Sequence, residues 1–323
     1  MLAVHIEDGR VEMREAPRPA RPEGFALIRL ICGGICNTDL ELQRGYYGFA
    51  GTPGHEFVGE VVEADTPALL GARVTGEINL SCGKCDWCRR GLGRHCPRRS
   101  VLGIVNHPGA FSEFFTLPER NLHVLPTGLA TEDAVFTEPL AAACEILDQV
   151  SIPWGGEVAV LGDGKLGLLI ALVLRAHGAE VHLYGRHPEK MRIAGAAGAV
   201  VRDAGERPAV AYDWVVEATG SPEGLHQAVA MARPRATVIM KSTVHGDVAI
   251  DMAPVIVNEI SLIGSRCGRF EPALELLCIG AVRPAPMISR RFPLAQAPEA
   301  FAEAARKGAL KVLLTDSIQN QLR

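Results

Sequence analysis

Short apolar runs broken by glycine and proline dominate the first part of the chain. FALIRLIC from Phe25, EFVGEVVE from Glu56 and ARVTGEI from Ala72 each have strand length and turn residues at their ends. The stretch from Phe25 to about Leu125 is therefore β-rich, and Pro17, Pro19 and Pro22 with their arginines read as a loop between two early strands. From about residue 130 the texture changes to alternating strand and helix, the pattern of a parallel sheet and of a second domain. There the spacing predicts a strand over Glu157–Leu161, a helix over Lys165–His177 stopped by Gly178, and a strand over 180–184. Further strands are predicted at 214–217, 237–240 and 261–263, with a helix after Ser221-Pro222-Glu223. The tail from Phe270 predicts a helix, a strand over 287–292 and another helix, returning to the first domain.

Composition narrows the function. With 323 residues and 48% hydrophobic content the chain can build two cores. A net charge of −4 gives no bulk attraction to nucleic acid or anionic membrane, so small-molecule partners are expected. The run LGLLIALVL at 166–174 is less than half a membrane span and stops at Arg175, which predicts a buried helix. The first residues, MLAVHIEDGRVEMRE, carry neither a signal-peptide core nor a transit-peptide bias. Nine cysteines, four of them in one short loop, argue against a disulfide framework. A reducing cytoplasm is the expected compartment.

Those four are Cys82, Cys85, Cys88 and, eight residues on, Cys96. Four thiolates so closely spaced can saturate one tetrahedral zinc, which leaves no open position and predicts a structural knot. Two other readings of this loop are weaker. An iron–sulfur carrier needs a nearer fourth cysteine. A nucleic-acid-binding ribbon, suggested by Arg89, Arg90, Arg94, Arg98 and Arg99, conflicts with the acidic chain and the solitary Trp87.

A glycine-rich turn, Gly162-Asp163-Gly164-Lys165-Leu166-Gly167, joins the predicted strand to the predicted helix. In that context it predicts dinucleotide binding: Gly162 for the tight turn, Gly164 for backbone approach to a pyrophosphate, Gly167 for helix–strand packing. Asp163 is an awkward charge there, and its side chain is expected to turn away from the phosphates. At the end of the second strand, where an NAD site supplies a carboxylate, the chain reads Tyr184-Gly185-Arg186-His187. Gly185 removes that carboxylate and Arg186 offers a fork for a 2′-phosphate, so NADP is expected ahead of NAD.

A second metal site is suggested by Cys36 in GICNTD and by His55-Glu56, nineteen residues later. A cysteine, a histidine and a carboxylate can hold zinc with an open position, although Cys36 reads equally as a buried thiol and His55 as a turn histidine.

GICNTD, GHEFVGEV, the four-cysteine loop, EPL at Glu138, GDGKLG and VVEATGS occur in an order that resembles the zinc-dependent medium-chain dehydrogenase/reductase superfamily, in its sorbitol, threonine and glucose dehydrogenase branch. The resemblance implies an α/β protein with a GroES-like catalytic domain over 1–129 carrying the zinc lobe at 82–96. It further implies a doubly wound Rossmann domain over 130–267 and a return segment over 268–323. Cys36 and His55 would hold a catalytic zinc, with Glu56 or Glu138 as further ligand and Cys144 as a fallback. Thr38 would hydrogen-bond the substrate oxygen, and Thr219 would join the cofactor set. Glu41 stands where alcohol dehydrogenases often carry a relay histidine, so protons would leave through Thr38, the ribose and Glu41, or directly through water. The implied reaction is hydride transfer between a polyol, sugar or secondary alcohol and NADP, with two zinc ions per chain in a homodimer or homotetramer. A simple NAD-dependent alcohol dehydrogenase and a zinc-free reductase or binding protein on the same fold are the alternatives. Relative to that family the chain is trimmed near 64–71 and 100–109.

Overall fold

The computed structural model describes residues 1–206, 212–243 and 247–316 and divides the chain into two units. Met1–Glu138 with Arg283–Arg323 forms the first, and Pro139–Val282 the second.

The first unit opens with an antiparallel hairpin, Leu2–Glu7 against Arg10–Glu15. Its turn is Asp8-Gly9, both at positive φ, which matches the right-handed twist of the two strands. A seven-stranded sheet follows, built around the long strand Phe25–Ile35. That strand pairs with Glu56–Glu63, Phe114–Pro118 and Lys311–Thr315, and its near-continuous apolar sequence reflects this enclosure. Register decides what meets what: Gly34 lies opposite Glu56 on one side and Leu313 on the other. Cys36 leaves the strand one residue beyond Ile35 and caps the helix Asn37–Gln43.

The second unit is a six-stranded parallel sheet. Its order is Val200–Asp203, Glu180–Gly185, Glu157–Leu161, Tyr212–Glu217, Ala232–Met240, Ser261–Gly264. Strand order reverses beside Glu157–Leu161, the switch point where doubly wound sheets bind ligands. The helix Lys165–His177 ends at Gly178 in the left-handed region, as the sequence predicts.

Three details differ from expectation. Residues 130–138 stay with the first unit because the helix Thr131–Ala134 is fastened there: Glu132 holds Arg291 in two hydrogen bonds and Asp133 accepts from the Ala285 N–H. The helix Phe270–Cys278 stays with the second, where Arg269 grips Asp148 and Gly268 packs so closely on Ala141 that a Cβ would overlap its carbonyl. The boundaries therefore fall at 138/139 and 282/283 instead of 129/130 and 267/268. The returning segment also carries a strand the pattern did not predict, Lys311–Thr315, inserted beside Phe25–Ile35. Among the described residues, no helix is long and apolar enough to cross a membrane.

Candidate functional site

Asp39 organises the first donor cluster. Fully buried in the first turn of the helix Asn37–Gln43, it accepts from the Cys36 N–H at 2.8 Å and the Gly54 N–H at 3.2 Å. Its Oδ1 also lies 3.4 Å from His55 Nδ1. One carboxylate thus ties the helix carrying Cys36 and Thr38 to the turn carrying His55, and leaves the far ring nitrogen of His55 as the available ligand atom. Burial opposes a charge on His55, but Asp39 and Cys36 outweigh it and hold the imidazole well above its ordinary pKa.

Donor atoms of Cys36, His55 and Glu56 all lie within 4.8 Å of one another. Glu56 reaches them because Gly34 has no side chain: a Cβ there would stand 2.6 Å from the Glu56 carboxylate. One Glu56 oxygen accepts from Lys311 Nζ, and the other is buried without a hydrogen-bond partner. Burial opposes the Lys311 charge, yet Glu56 and then Cys36 raise its pKa above the usual lysine value. An orphaned carboxylate oxygen beside a thiol and an imidazole fits a divalent metal such as zinc. Thr38 Oγ1 sits 3.8 Å from Cys36 Sγ, at the edge of the same cluster. Glu41, on that helix, accepts from Arg44 at 2.5 Å.

Glu138 is not in this three-donor cluster; it lies half-buried in the first turn of the helix Thr137–Gln149. Cys144, further along that helix, is buried, and burial pushes its thiol up to about 12. That is the behaviour of a packed thiol, so the fallback ligand is not brought into play.

Sulfur atoms of Cys82, Cys85, Cys88 and Cys96 form the second cluster. Separations of 3.4 Å for Cys85–Cys88, 3.7 Å for Cys85–Cys96 and 3.9 Å for Cys82–Cys88 bracket the roughly 3.8 Å expected of thiolates around a tetrahedral zinc. All four are free of disulfides. Backbone N–H groups, Lys84 first, lower the Cys82 thiol to about 6, and Arg98 donates to its sulfur at 3.4 Å.

In the second unit the three glycines divide their tasks. A Cβ on Gly162 would meet Ala218 O at 2.5 Å and one on Gly167 would meet Gly162 O at 2.0 Å, so both are packing positions. Gly164 has nothing within 4 Å and precedes Lys165 and Leu166 at the helix N-terminus, the open approach a pyrophosphate needs. Asp163 turns to the neighbouring strand end, accepting from Arg186 N at 2.7 Å, His187 N at 2.6 Å and His187 Nδ1 at 3.1 Å. The charge at this strand end is therefore set by Asp163 as well as by Gly185. Gly185 removes one carboxylate from that strand end, but Asp163 delivers another, at 2.6 Å from where a residue-185 Cβ would stand. The Arg186 side chain is exposed beside it. Thr219, past the strand Tyr212–Glu217, donates through its N–H and hydroxyl to buried Glu217 at 2.7 and 2.6 Å.

Sequence reasoning missed the roles of Asp39, Lys311 and Glu217. Asp39 had a signal, an acid three positions after the helix N-cap, and Lys311 a weaker one, a lone charge opening the apolar run VLL.

With both donor sets and the glycine turn placed, comparison with known proteins defines the class. The alcohol dehydrogenase GroES-like domain matches residues 22–127, and the zinc-binding dehydrogenase domain matches residues 166–278. An L-threonine 3-dehydrogenase from Streptomyces coelicolor is 33% identical, over 94% of this chain and 95% of its own length. A sorbitol dehydrogenase from Halalkalibacterium halodurans is 29% identical, over 95% and 96%. A zinc-binding dehydrogenase from Sinorhizobium meliloti, solved bound to NADP, superposes with a TM-score of 0.90 at 32% identity, covering 97% of this chain and 98% of that one. The chain belongs to the zinc-dependent alcohol dehydrogenase family of the medium-chain dehydrogenases/reductases, and is an NAD(P)-dependent enzyme.

Proposed function

We propose that the enzyme interconverts a secondary hydroxyl of a polyol or sugar and the corresponding carbonyl, with NADP as redox partner. The observation that carries this reading is the convergence of Cys36, His55 and Glu56 beside Thr38. When bound, zinc would polarise the alcohol oxygen and lower its pKa, and the nicotinamide would carry the hydride. The chain's own part is to position and to move a proton. Cys36, His55 and Glu56 fix the metal, with Glu138 the alternative carboxylate that the polyol branch suggests, and Asp39 orients His55. The Thr38 hydroxyl holds the substrate oxygen and takes its proton, and Glu41, kept in place by Arg44, forms the exit toward solvent. The resemblance to a sorbitol dehydrogenase supports the substrate class.

The second zinc belongs to Cys82, Cys85, Cys88 and Cys96, giving two per chain. Gly162, Gly164, Lys165, Leu166 and Gly167 cradle the pyrophosphate, Thr219 borders it, and Arg186 with His187 receives the 2′-phosphate. NAD is the second reading, and one observation favours it: the Asp163 carboxylate at the Arg186 turn. A homo-oligomer, dimer or tetramer, is supported by the strand Ser261–Gly264, an edge strand among the described residues, and the exposed Ile256 and Val257 just before it. A cytoplasmic location accords with nine cysteines in no disulfide.

The test is a screen of polyols, aldoses and secondary alcohols with NADP and NAD, coupled to chelation. Loss of turnover on chelation, restored by zinc, is expected with polyols; activity that survives complete zinc removal overturns the reading.

A further inference from the structure

A cavity of about 830 Å³ opens in the first unit, walled by segments that lead into the metal donors. Tyr47 lies just past the helix capped by Cys36, and Thr52 three residues before His55. Across from them runs the loop of Val105, Asn106 and His107, joined to that wall where Gly109 donates to Thr52 O at 2.7 Å.

Its charge is one-sided. Arg99 supplies the positive charge, burial holds the His107 imidazole below its ordinary pKa, and none of the described lining residues carries a carboxylate. At His5, which also lines it, Glu7 lies 3.6 Å from the Nε2. Arg99 donates through Nη1 to Cys96 O at 3.1 Å, while its Nε is buried with no hydrogen-bond partner. A buried guanidinium N–H without an acceptor is costly, and an anionic ligand would supply one in the geometry this fork favours. His107 donates Nδ1–H to Pro108 O at 2.8 Å, which fixes its ring at the wall. Tyr47 and Asn106, both non-glycine residues at positive φ, hold the two sides in conformations that local sequence alone does not favour.

We infer that the alcohol oxidised at the Cys36, His55 and Glu56 site bears an anionic group, a phosphate ester or a carboxylate, and that Arg99 binds it in this cavity. The inference rests on the dehydrogenase reading and adds the charge of the substrate to it.

Steady-state kinetics of the zinc-loaded full chain with sorbitol, sorbitol 6-phosphate and gluconate test it at fixed ionic strength. One of the two anions should have the highest kcat/KM, and which one it is separates ester from carboxylate. Arg99→Gln should lower the preference for that anion over sorbitol by about tenfold through KM, with partial recovery in Arg99→Lys. A merely structural Arg99 would alter all three substrates alike, and that outcome overturns the inference, as does sorbitol being the best of the three. Should Arg99→Gln lose zinc from the neighbouring lobe, Asn106→Asp, which adds a carboxylate to the lining, should lower the same preference. Calorimetric titration with inorganic phosphate separates this inference from the dehydrogenase reading. Binding that is lost in Arg99→Gln supports the cavity even if none of the alcohols turns over, whereas no binding to the wild-type chain overturns it.

Discussion

Lys311 donates to Glu56 in an ion pair whose two side chains are both essentially buried, between residues 255 apart in sequence. The pair fastens the returning strand to the Cys36, His55 and Glu56 donor group and leaves the other Glu56 oxygen without a hydrogen-bond partner.

Removing the ammonium should therefore expose the cost of that burial. Lys311→Met leaves the Glu56 charge unpaired in a dry setting, and chemical unfolding of the metal-free protein should show a loss of about 3–5 kcal/mol. A loss under ~1 kcal/mol would mean that the Lys311–Glu56 pair contributes little to the stability of the fold.

In the proposed zinc site Asp39 would act on the metal through His55. Asp39→Asn keeps the shape but weakens the hold on the imidazole and on the Gly54 turn, so affinity for the first zinc should fall about 10–100-fold in a chelator competition. The four-cysteine zinc should be retained. Equal loss from both sites would point to global unfolding instead.

The proposed mechanism gives Thr38 the substrate proton. Thr38→Val should reduce kcat by about 10²–10⁴ while cofactor binding, followed by fluorescence, is unchanged. A near-normal kcat would remove the threonine from the reaction.

Asp163 links pH to stability. Burial raises its pKa, but hydrogen bonds from the His187 side chain and then from the His187 and Arg186 backbones outweigh that and leave it below the ordinary aspartate value. A depressed folded-state pKa contributes stability that is fully present above the unfolded value of about 3.9 and is lost as pH falls through the folded one. The Tm of Asp163→Asn should accordingly depend less steeply on pH below about 4 than that of the wild type. If the two curves run parallel, folding does not shift the Asp163 pKa and the hydrogen bonds from His187 and Arg186 contribute no pH-dependent stability.

The sequence made much of this legible where local rules operate. The strand–turn–helix around Gly162 is set by apolar length, glycine spacing and a left-handed stop at Gly178, and it appears as expected. The thiolate lobe follows from ligand spacing within fifteen residues. What escaped depends on contacts distant in sequence. Lys311–Thr315 is recognisable as a strand only once Phe25–Ile35 is there to pair with it, and Lys311 as a site residue only once Gly34 has admitted Glu56. The domain boundaries escaped for the same reason, since Glu132 with Arg291 and Asp148 with Arg269 decide which unit owns each connecting helix.

Asp163 and Gly185 occupy a single volume between them, with Asp163 Oδ2 lying 2.6 Å from where a Cβ on residue 185 would begin. The two positions are consequently not independent for anyone redesigning the coenzyme choice. Gly185→Asp by itself would drive two carboxylates into one space and damage the fold before it altered selectivity, and Asp163→Gly by itself would release the backbone of Arg186 and His187. Only the paired exchange preserves both volume and charge, so a library that varies one site at a time will pass over the productive combination.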